Sequence, residues 1–320
     1  MKILVQMDDI FKINVNSDST YKIMLEGYNL GHEIFFYTPD QLFFDSSHQK
    51  LKALISKVKL KNDPHNYCQI ISQEIINLEQ FDVILVRQDP PFDMSYLTTT
   101  YLLEKIKNKV LILNDPSEIR NNPEKMLVTK YSDLTPPTLI ASDKNAIKDF
   151  YQHHQKIILK PLYSCGGDGV VLIEKNSQNL NSVIELLLSK YKAPLIAQQY
   201  LEAVKDGDKR LILIDGEFVG GICRVAQSDE IRSNLHIGGT ATKLKPTARD
   251  LEICQIIGYE LKKRNLFFVG IDIIGDYLTE INVTSPTGIV AVNQLNNCFV
   301  EEIFYQKLQQ KIKNFNISLK

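Results

Sequence analysis

Three side chains with oxygen donors interrupt an otherwise apolar stretch: Asp272, Glu280 and Asn282, within FFVGIDIIGDYLTEINVTSPTG at residues 267–288. Apolar, β-branched runs on either side of Gly275-Asp276 predict a β-hairpin. Glu280 and Asn282 are two apart, so they share one face of the second strand while Ile281 and Val283 point the other way. Asp272 comes opposite Glu280 if the loop is Gly275-Asp276-Tyr277, or if a two-residue loop is joined to a bulge. Carboxylates gathered in an apolar setting repel unless something positive joins them. Oxygen-only donors on a rigid sheet suit Mg²⁺ shared with substrate phosphates. The residue types alone fit equally well an exposed hairpin face whose acids meet water.

A second group lies upstream. KIILKP (156–161) is an apolar strand ending in Lys160, followed within a few residues by Gly166-Gly167-Asp168-Gly169. A strand-borne ammonium and the N–H groups of a glycine loop can hold the phosphates of ATP. No GxxxxGK[ST] is present, so this is not a P-loop, and a plain hairpin turn has the same composition. PLIAQQYL (194–201) follows a helix pattern over 180–191. Its edge can read an adenine while apolar neighbours enclose the ring; a merely buried strand reads the same way. KDGDKR (205–210) leads into a strand at 211–214, the turn Asp215-Gly216 and a partner strand at 218–224. Residues 225–242, with Arg232, Asn234 and Gly238-Gly239, are polar and lack periodicity. They read as a mobile lid, with Arg224 and Arg232 as clamps for phosphate or carboxylate, or else as a long surface loop.

These groups need a scaffold. In the first third, strand patterns at 2–7, 32–37, 82–87 and 110–113 alternate with helical patterns at 18–31 and 96–107. That alternation predicts an α/β unit with an open parallel sheet, whose binding loops lie beyond the strand ends. Two such loops are notable, 8–19 and Arg87-Gln-Asp-Pro-Pro-Phe-Asp93, although the second on its own reads as a proline-stiffened turn. Asn, Asp, Pro and Ser dominate 113–125, as in a connector, and the remainder reads as α+β. Thr247 caps a helix to about 264, and a last helix is expected over 293–312.

Composition narrows the classes. Lys+Arg 37 against Asp+Glu 38 leaves a net charge of −1, with no electrostatic footprint for nucleic acid or an anionic membrane. No apolar run reaches the roughly 18 residues of a membrane span. The amino terminus runs straight into a strand pattern rather than a cleavable signal. Cys68, Cys165, Cys223, Cys254 and Cys298 are scattered, which fits reduced thiols in a cytoplasm. No Ser-His-Asp or Cys-His constellation and no GxGxxG can be placed.

GIDIIGD followed by EINVTSPTG closely resembles the metal-binding hairpin of the prokaryotic glutathione synthetases, members of the ATP-grasp superfamily. Arg87-x-Asp-Pro-Pro-Phe-Asp, the Asn-x-Pro to Glu124-Lys125 stretch, LKP with its glycine loop and KDGDKR extend the resemblance over nearly the whole chain. It implies a pre-ATP-grasp domain at 1–122 followed by an ATP-grasp domain at 123–320, with a flexible lid about 225–242. It implies ATP with Mg²⁺ (or Mn²⁺), the metal being held by Asp272, Glu280 and Asn282. Lys125, Lys160, Gly166, Gly167, Gln198, Gln199, Tyr200, Leu201 and Asp208 become nucleotide residues. Arg210, Arg224 and Arg232 become substrate clamps. The implied reaction is ATP-dependent joining of γ-glutamylcysteine to glycine through an acyl phosphate, the last step of glutathione biosynthesis. A cytoplasmic homo-oligomer without nucleic-acid or membrane partners is expected. The alternatives are another carboxylate–amine ligase of this superfamily, or a nucleotide-binding regulatory homologue without turnover. One departure stands out: after Ser285-Pro-Thr-Gly-Ile289 the family typically has Arg-Glu, where this chain has Val290 and Ala291.

Overall fold

The computed structural model describes residues 1–226 and 238–318. The first unit contains β1 (Lys2–Gln6), α1 (Ser19–Asn29), β2 (Glu33–Tyr37), β3 (Leu42–Asp45), β4 (Lys50–Leu60), β5 (Cys68–Asn77), β6 (Val83–Val86), α2 (Met94–Glu104) and β7 (Leu111–Leu113). β1 pairs in parallel with both β2 and β6, and β6 with β7, as the alternating pattern predicts. Ile3, Leu4, Val5 and Val83–Val86 are buried, which explains their unbroken apolar runs. Asp18 caps α1 by accepting from the Tyr21 N–H, and Asp93 caps α2 by accepting from Tyr96. Both caps close loops that leave carboxyl ends of parallel strands.

Residues 42–77 carry no clean periodicity, and they turn the expected parallel sheet into a mixed one. β4 runs antiparallel to β2, β3 and β5, and a register shift at Lys57/Val58 breaks the alternation along the β4–β5 pair.

The next unit contains α3 (Pro116–Asn121), α4 (Glu124–Leu127), β8 (Thr138–Ala141), α5 (Lys144–His154), β9 (Ile157–Pro161), β10 (Val171–Ile173), α6 (Leu180–Tyr191) and β11 (Leu195–Gln199). Its strands form an antiparallel sheet in the order β10-β9-β11-β8. Ile147 and Ile184 of the two longer helices pack with Ile157, Leu159 and Leu195 of the sheet. The last sheet has the order β14-β13-β12-β15-β16, from β12 (Asp208–Ile214), β13 (Glu217–Val225), β14 (Thr240–Lys243), β15 (Phe268–Ile274) and β16 (Tyr277–Asn282). α7 (Ala248–Lys263) carries the Thr247 cap and a capping box with Asp250. The single helix expected over 293–312 is two, α8 (Ile289–Asn296) and α9 (Val300–Ser318). Asn297 ends the first in the left-handed conformation at φ 53, a stop that asparagine tolerates better than most residues.

Much of the expected lid, including Arg232 and Asn234, lies outside the described residues. At its two ends, Val225 belongs to β13 and Thr240 opens β14, its antiparallel partner. The connector is tied to the metal hairpin by Asn114, whose amide donates to the carbonyls of Phe268 and Val283. Among the described residues no helix is long and apolar enough to cross a membrane.

Candidate active site

The hairpin β15–β16 places the three oxygen donors. A two-residue turn joins Ile274 to Tyr277, and a bulge after Asp272 brings that residue opposite Glu280, with Asn282 opposite Gly270. Asp272 is 4% exposed, so its carboxylate needs partners. Arg210 of β12 supplies two bonds, Nε to Oδ1 at 2.5 Å and Nη2 to Oδ2 at 2.9 Å. Arg224 of β13 approaches the same Oδ2 at 3.0 Å and donates to Asp208 from the same Nη2. Asn282 Nδ2 adds a longer bond to that oxygen at 3.4 Å while donating to the Gly270 carbonyl at 3.2 Å. Burial pushes the Asp272 carboxyl up, but Arg210 and Arg224 together outweigh it and hold it below the usual carboxylate range.

Lys125 and Glu280 form the second cluster. Their side chains meet at 2.9 Å, and the Lys125 ammonium also donates to the Ser164 carbonyl. Burial would strip the proton from Lys125, but Glu280 and Glu124 keep its affinity for protons above the usual value. Glu124 accepts from the Thr284 hydroxyl at 2.6 Å and from its N–H at 3.3 Å. Burial first, and then the Glu280 charge, raise the Glu124 carboxyl.

Lys160 stands apart. Its ammonium donates to Gln198 Oε1 at 3.2 Å, and Gln198 in turn donates to Thr138. Burial lowers its pKa to about 8, against the opposing charge of Glu280 and with Lys125 adding to the fall; among the described residues no carboxylate pairs with it. A phosphate is what such a cation lacks.

All nine residues read from the sequence as nucleotide contacts line one cavity of about 150 Å³. These are Lys125, Lys160, Gly166, Gly167, Gln198, Gln199, Tyr200, Leu201 and Asp208. Gly166 and Gly167 have φ of 63° and 84°, and nothing lies within 4 Å of where a Cβ on Gly166 would stand. Their loop therefore offers backbone to the cavity without a side chain. Ile158, Val204 and Ile274 supply apolar walls that sequence reading did not single out. They come from three different elements, and only the fold unites them.

A second cavity of about 610 Å³ adjoins the first. Arg210, Arg224, Glu280 and Asn282 face it, as do Thr284–Gly288 and Val290, Ala291 and Gln294 of α8. Asn14, Asn16 and Ser17 reach it from the loop after β1, and Asp89 and Pro90 from the loop after β6. Both loops flagged in the sequence thus converge here; for the second, a plain turn would not have. Arg87 donates to the Pro286 carbonyl at 2.9 Å, and Ser19 Oγ accepts from the N–H groups of Gly288 and Ile289. The N-terminal unit therefore holds the segment that follows the metal hairpin. Glu124, Ser19 and Arg87 were legible only as helix-start or loop residues, because their partners lie 160 or more residues away.

Among the described residues no three His, Cys, Asp or Glu side chains converge on a metal position. The donor set here is two carboxylates and an amide oxygen, which suits an ion completing its shell with phosphate oxygens. Asn282 commits its Nδ2 to protein acceptors, so its amide oxygen is the atom with which it could ligate an ion.

Comparison with known proteins agrees with this geometry. A family model described as the prokaryotic glutathione synthetase ATP-grasp domain matches residues 124–297, and the N-terminal domain model of the same family matches residues 1–120. A glutathione synthetase of Brucella melitensis is 44% identical, covering 97% of this chain and 99% of the relative. One from Buchnera aphidicola is 35% identical, covering 98% of each. Among solved structures, the D-cycloserine synthetase DcsG superposes with a TM-score of 0.67 at 13% identity, covering 97% of this chain and 99% of the other. A RiPP-associated ATP-grasp ligase of Chryseobacterium gregarium gives 0.64 at 18%, covering 97% of each. The structural likenesses speak for the fold.

Proposed function

The chain belongs to the prokaryotic glutathione synthetase family, and on that premise we propose how its two cavities divide the reaction. The activity is that of an ATP-dependent carboxylate–amine ligase using ATP and Mg²⁺, joining γ-glutamylcysteine to glycine. The smaller cavity takes the nucleotide. Lys125 and Lys160 meet its phosphates, the N–H groups of Gly166 and Gly167 cover them, and Asp208 serves the ribose side. The adenine lies against the backbone of Tyr200–Leu201, past the end of β11, between apolar walls. The larger cavity takes the peptide and the amine. One observation carries this division: Glu280 and Gly166 line both cavities, so the Glu280 carboxylate stands where the two substrates meet.

Asp272, Glu280 and Asn282 would hold Mg²⁺, which when bound offsets charge on the transferring phosphoryl group. The chain's own groups do the rest. Lys160 and the glycine loop fix the phosphates, while Arg210 and Arg224 bind and orient the peptide carboxylate, with Arg232 assigned from the sequence as a third clamp. The carboxylate oxygen bonds to the γ-phosphorus as the bond to ADP breaks. The amine nitrogen then attacks the acyl carbon, phosphate leaves, and the amine gives up a proton. No protein nucleophile is required.

Residues 1–122 form the substrate-side unit and 123–320 the nucleotide unit in this reading, which the matched spans of the two family models support. The reading includes a cytoplasmic homo-oligomer without nucleic-acid or membrane partners, and the net charge of −1 supports the absence of nucleic acid. The test is ADP release by the purified chain. ADP and phosphate should form together only when ATP, Mg²⁺, γ-glutamylcysteine and glycine are all present. Turnover with a different donor or acceptor in preference, or none at all, would overturn the assignment.

A further inference from the structure

The arginines facing the larger cavity are already occupied, and by a group the metal needs. Asp272 Oδ2 receives Arg210 Nη2, Arg224 Nη2 and Asn282 Nδ2, while Oδ1 receives Arg210 Nε. Oδ2 thus carries three donors against about two lone pairs, while Oδ1 keeps one position beside Arg210 Nε. A metal ion at about 2.1 Å from either oxygen would also stand within about 4 Å of a guanidinium, cation against cation in a poorly solvated site. A metal ion on Asp272 therefore competes with the arginines, displacing them from Oδ2 or standing against Arg210 Nε at Oδ1. Arg224 adds an independent sign. Its side chain is 5% exposed and lines the larger cavity, yet its Nε has no hydrogen-bond partner among the described residues. A buried guanidinium N–H without an acceptor is costly, and an anionic group brought beside it would relieve that cost.

We propose that Asp272 is a partner-exchange residue that makes peptide binding depend on the metal–nucleotide. In the metal-free chain it holds Arg210 and Arg224. When it turns to the metal, it releases Arg210 and leaves Arg224 held by Asp208 alone, and the carboxylate of the peptide substrate takes up the freed guanidinium donors. The proposal rests on the assignment of Asp272 as a metal donor. It adds an order, nucleotide with metal first and peptide second, and a reciprocal coupling between the two sites.

Calorimetric titration of γ-glutamylcysteine under reducing conditions tests it. The titration is run into the full chain alone, with saturating β,γ-imido-ATP in EDTA, and with saturating β,γ-imido-ATP and Mg²⁺. The peptide is expected to bind at least tenfold more tightly in the third state than in the second. Equal affinity in the second and third states overturns the proposal. Asp272→Asn should bind the peptide without nucleotide about as tightly as the native chain does with it; affinity at the native metal-free level counts against the exchange. Should Asp272→Asn fail to fold, as read by its thermal unfolding, the three native titrations decide alone. The metal assignment has its own readout, the Mg²⁺ dependence of β,γ-imido-ATP binding. If Asp272→Asn leaves that dependence unchanged, the assignment falls, whereas intact dependence on Asp272 without peptide coupling sinks only the exchange.

Discussion

The two cavities meet at Glu280, and one cation of the first, Lys160, stands in the opposite state to the arginines of the second, while Lys125 is paired with Glu280 itself. On the nucleotide side, Lys160 is desolvated and, among the described residues, donates to an amide oxygen and forms no ion pair, Glu280 acting on it from further off. On the substrate side, Arg210 and Arg224 are neutralised by Asp272 and Asp208. An uncompensated buried cation costs stability and waits for its ligand; a compensated one stabilises the fold and must be released. The difference teaches which site is ready in the free chain. It also separates residues whose loss damages binding alone from those whose loss damages the fold as well.

The largest effect should come at the junction itself. Glu280→Gln keeps the shape but weakens ligation and removes the partner of Lys125. ADP release is expected to fall roughly a thousandfold, about 4 kcal/mol of barrier. The unfolding midpoint should move only slightly. Activity within about tenfold of the native chain would take Glu280 out of the metal set.

Next in size is a contrast in stability. Arg224→Gln takes a cation from Asp208 and from Asp272 in a buried site, Asp272 keeping Arg210, and should cost about 3 kcal/mol in denaturant unfolding. Lys160→Gln strands nothing, so its unfolding midpoint should hold or rise. Equal losses in the two variants would erase the distinction between a compensated and an uncompensated cation.

Lys160 should also betray itself through protons. Its pKa is lowered from the ordinary lysine value to about 8, so the free chain begins to lose this charge as pH rises through 8. Phosphate oxygens favour the charged form and draw the proton back. Nucleotide binding at pH 8.5 should therefore take up protons, seen as a dependence of the binding heat on buffer ionisation. The affinity should weaken as pH climbs above 8. Lys160→Gln should abolish the uptake and weaken binding by roughly tenfold or more at pH 7. Uptake unchanged in the variant would place the titrating group elsewhere.

What could be read in advance follows from the range of the interactions. The hairpin with Asp272, Glu280 and Asn282 and the Lys160 strand are local patterns with strong periodicity, and they took their expected places; the strand leading to Gln199 also formed, but between β9 and β8 rather than at an edge. The β4–β5 extension escaped because its bulge destroys the alternation and β5 is largely exposed. The break between α8 and α9 escaped because an asparagine, not a glycine or proline, makes it. That Arg210 and Arg224 converge on Asp272 required β12 to lie between β13 and β15, a neighbourhood that no local pattern encodes. Glu124 holding Thr284 is the same case at longer range.

The smallest expected effect probes whether the released arginines suffice. Val290 and Ala291 line the larger cavity in the first turn of α8, where the resembling family typically has Arg-Glu. Val290→Arg would put a cation there that Asp272 does not hold, available whether or not metal and nucleotide are bound. A charge-assisted bond to a carboxylate is worth roughly 1.5–3 kcal/mol, less the entropy of ordering a long side chain, so about tenfold is the most to expect. The KM for γ-glutamylcysteine or for glycine should fall by up to that factor, with kcat little changed, as for a contact made equally in ground and transition states. A panel of γ-glutamyl donors and amine acceptors, run on the native chain and on Val290→Arg, identifies which carboxylate the new cation reaches. If neither KM moves and glycine remains well used, Arg210 and Arg224 already satisfy the substrate carboxylates. The valine would then be a neutral replacement, and the substrate side would be as complete as the nucleotide side once its arginines are set free.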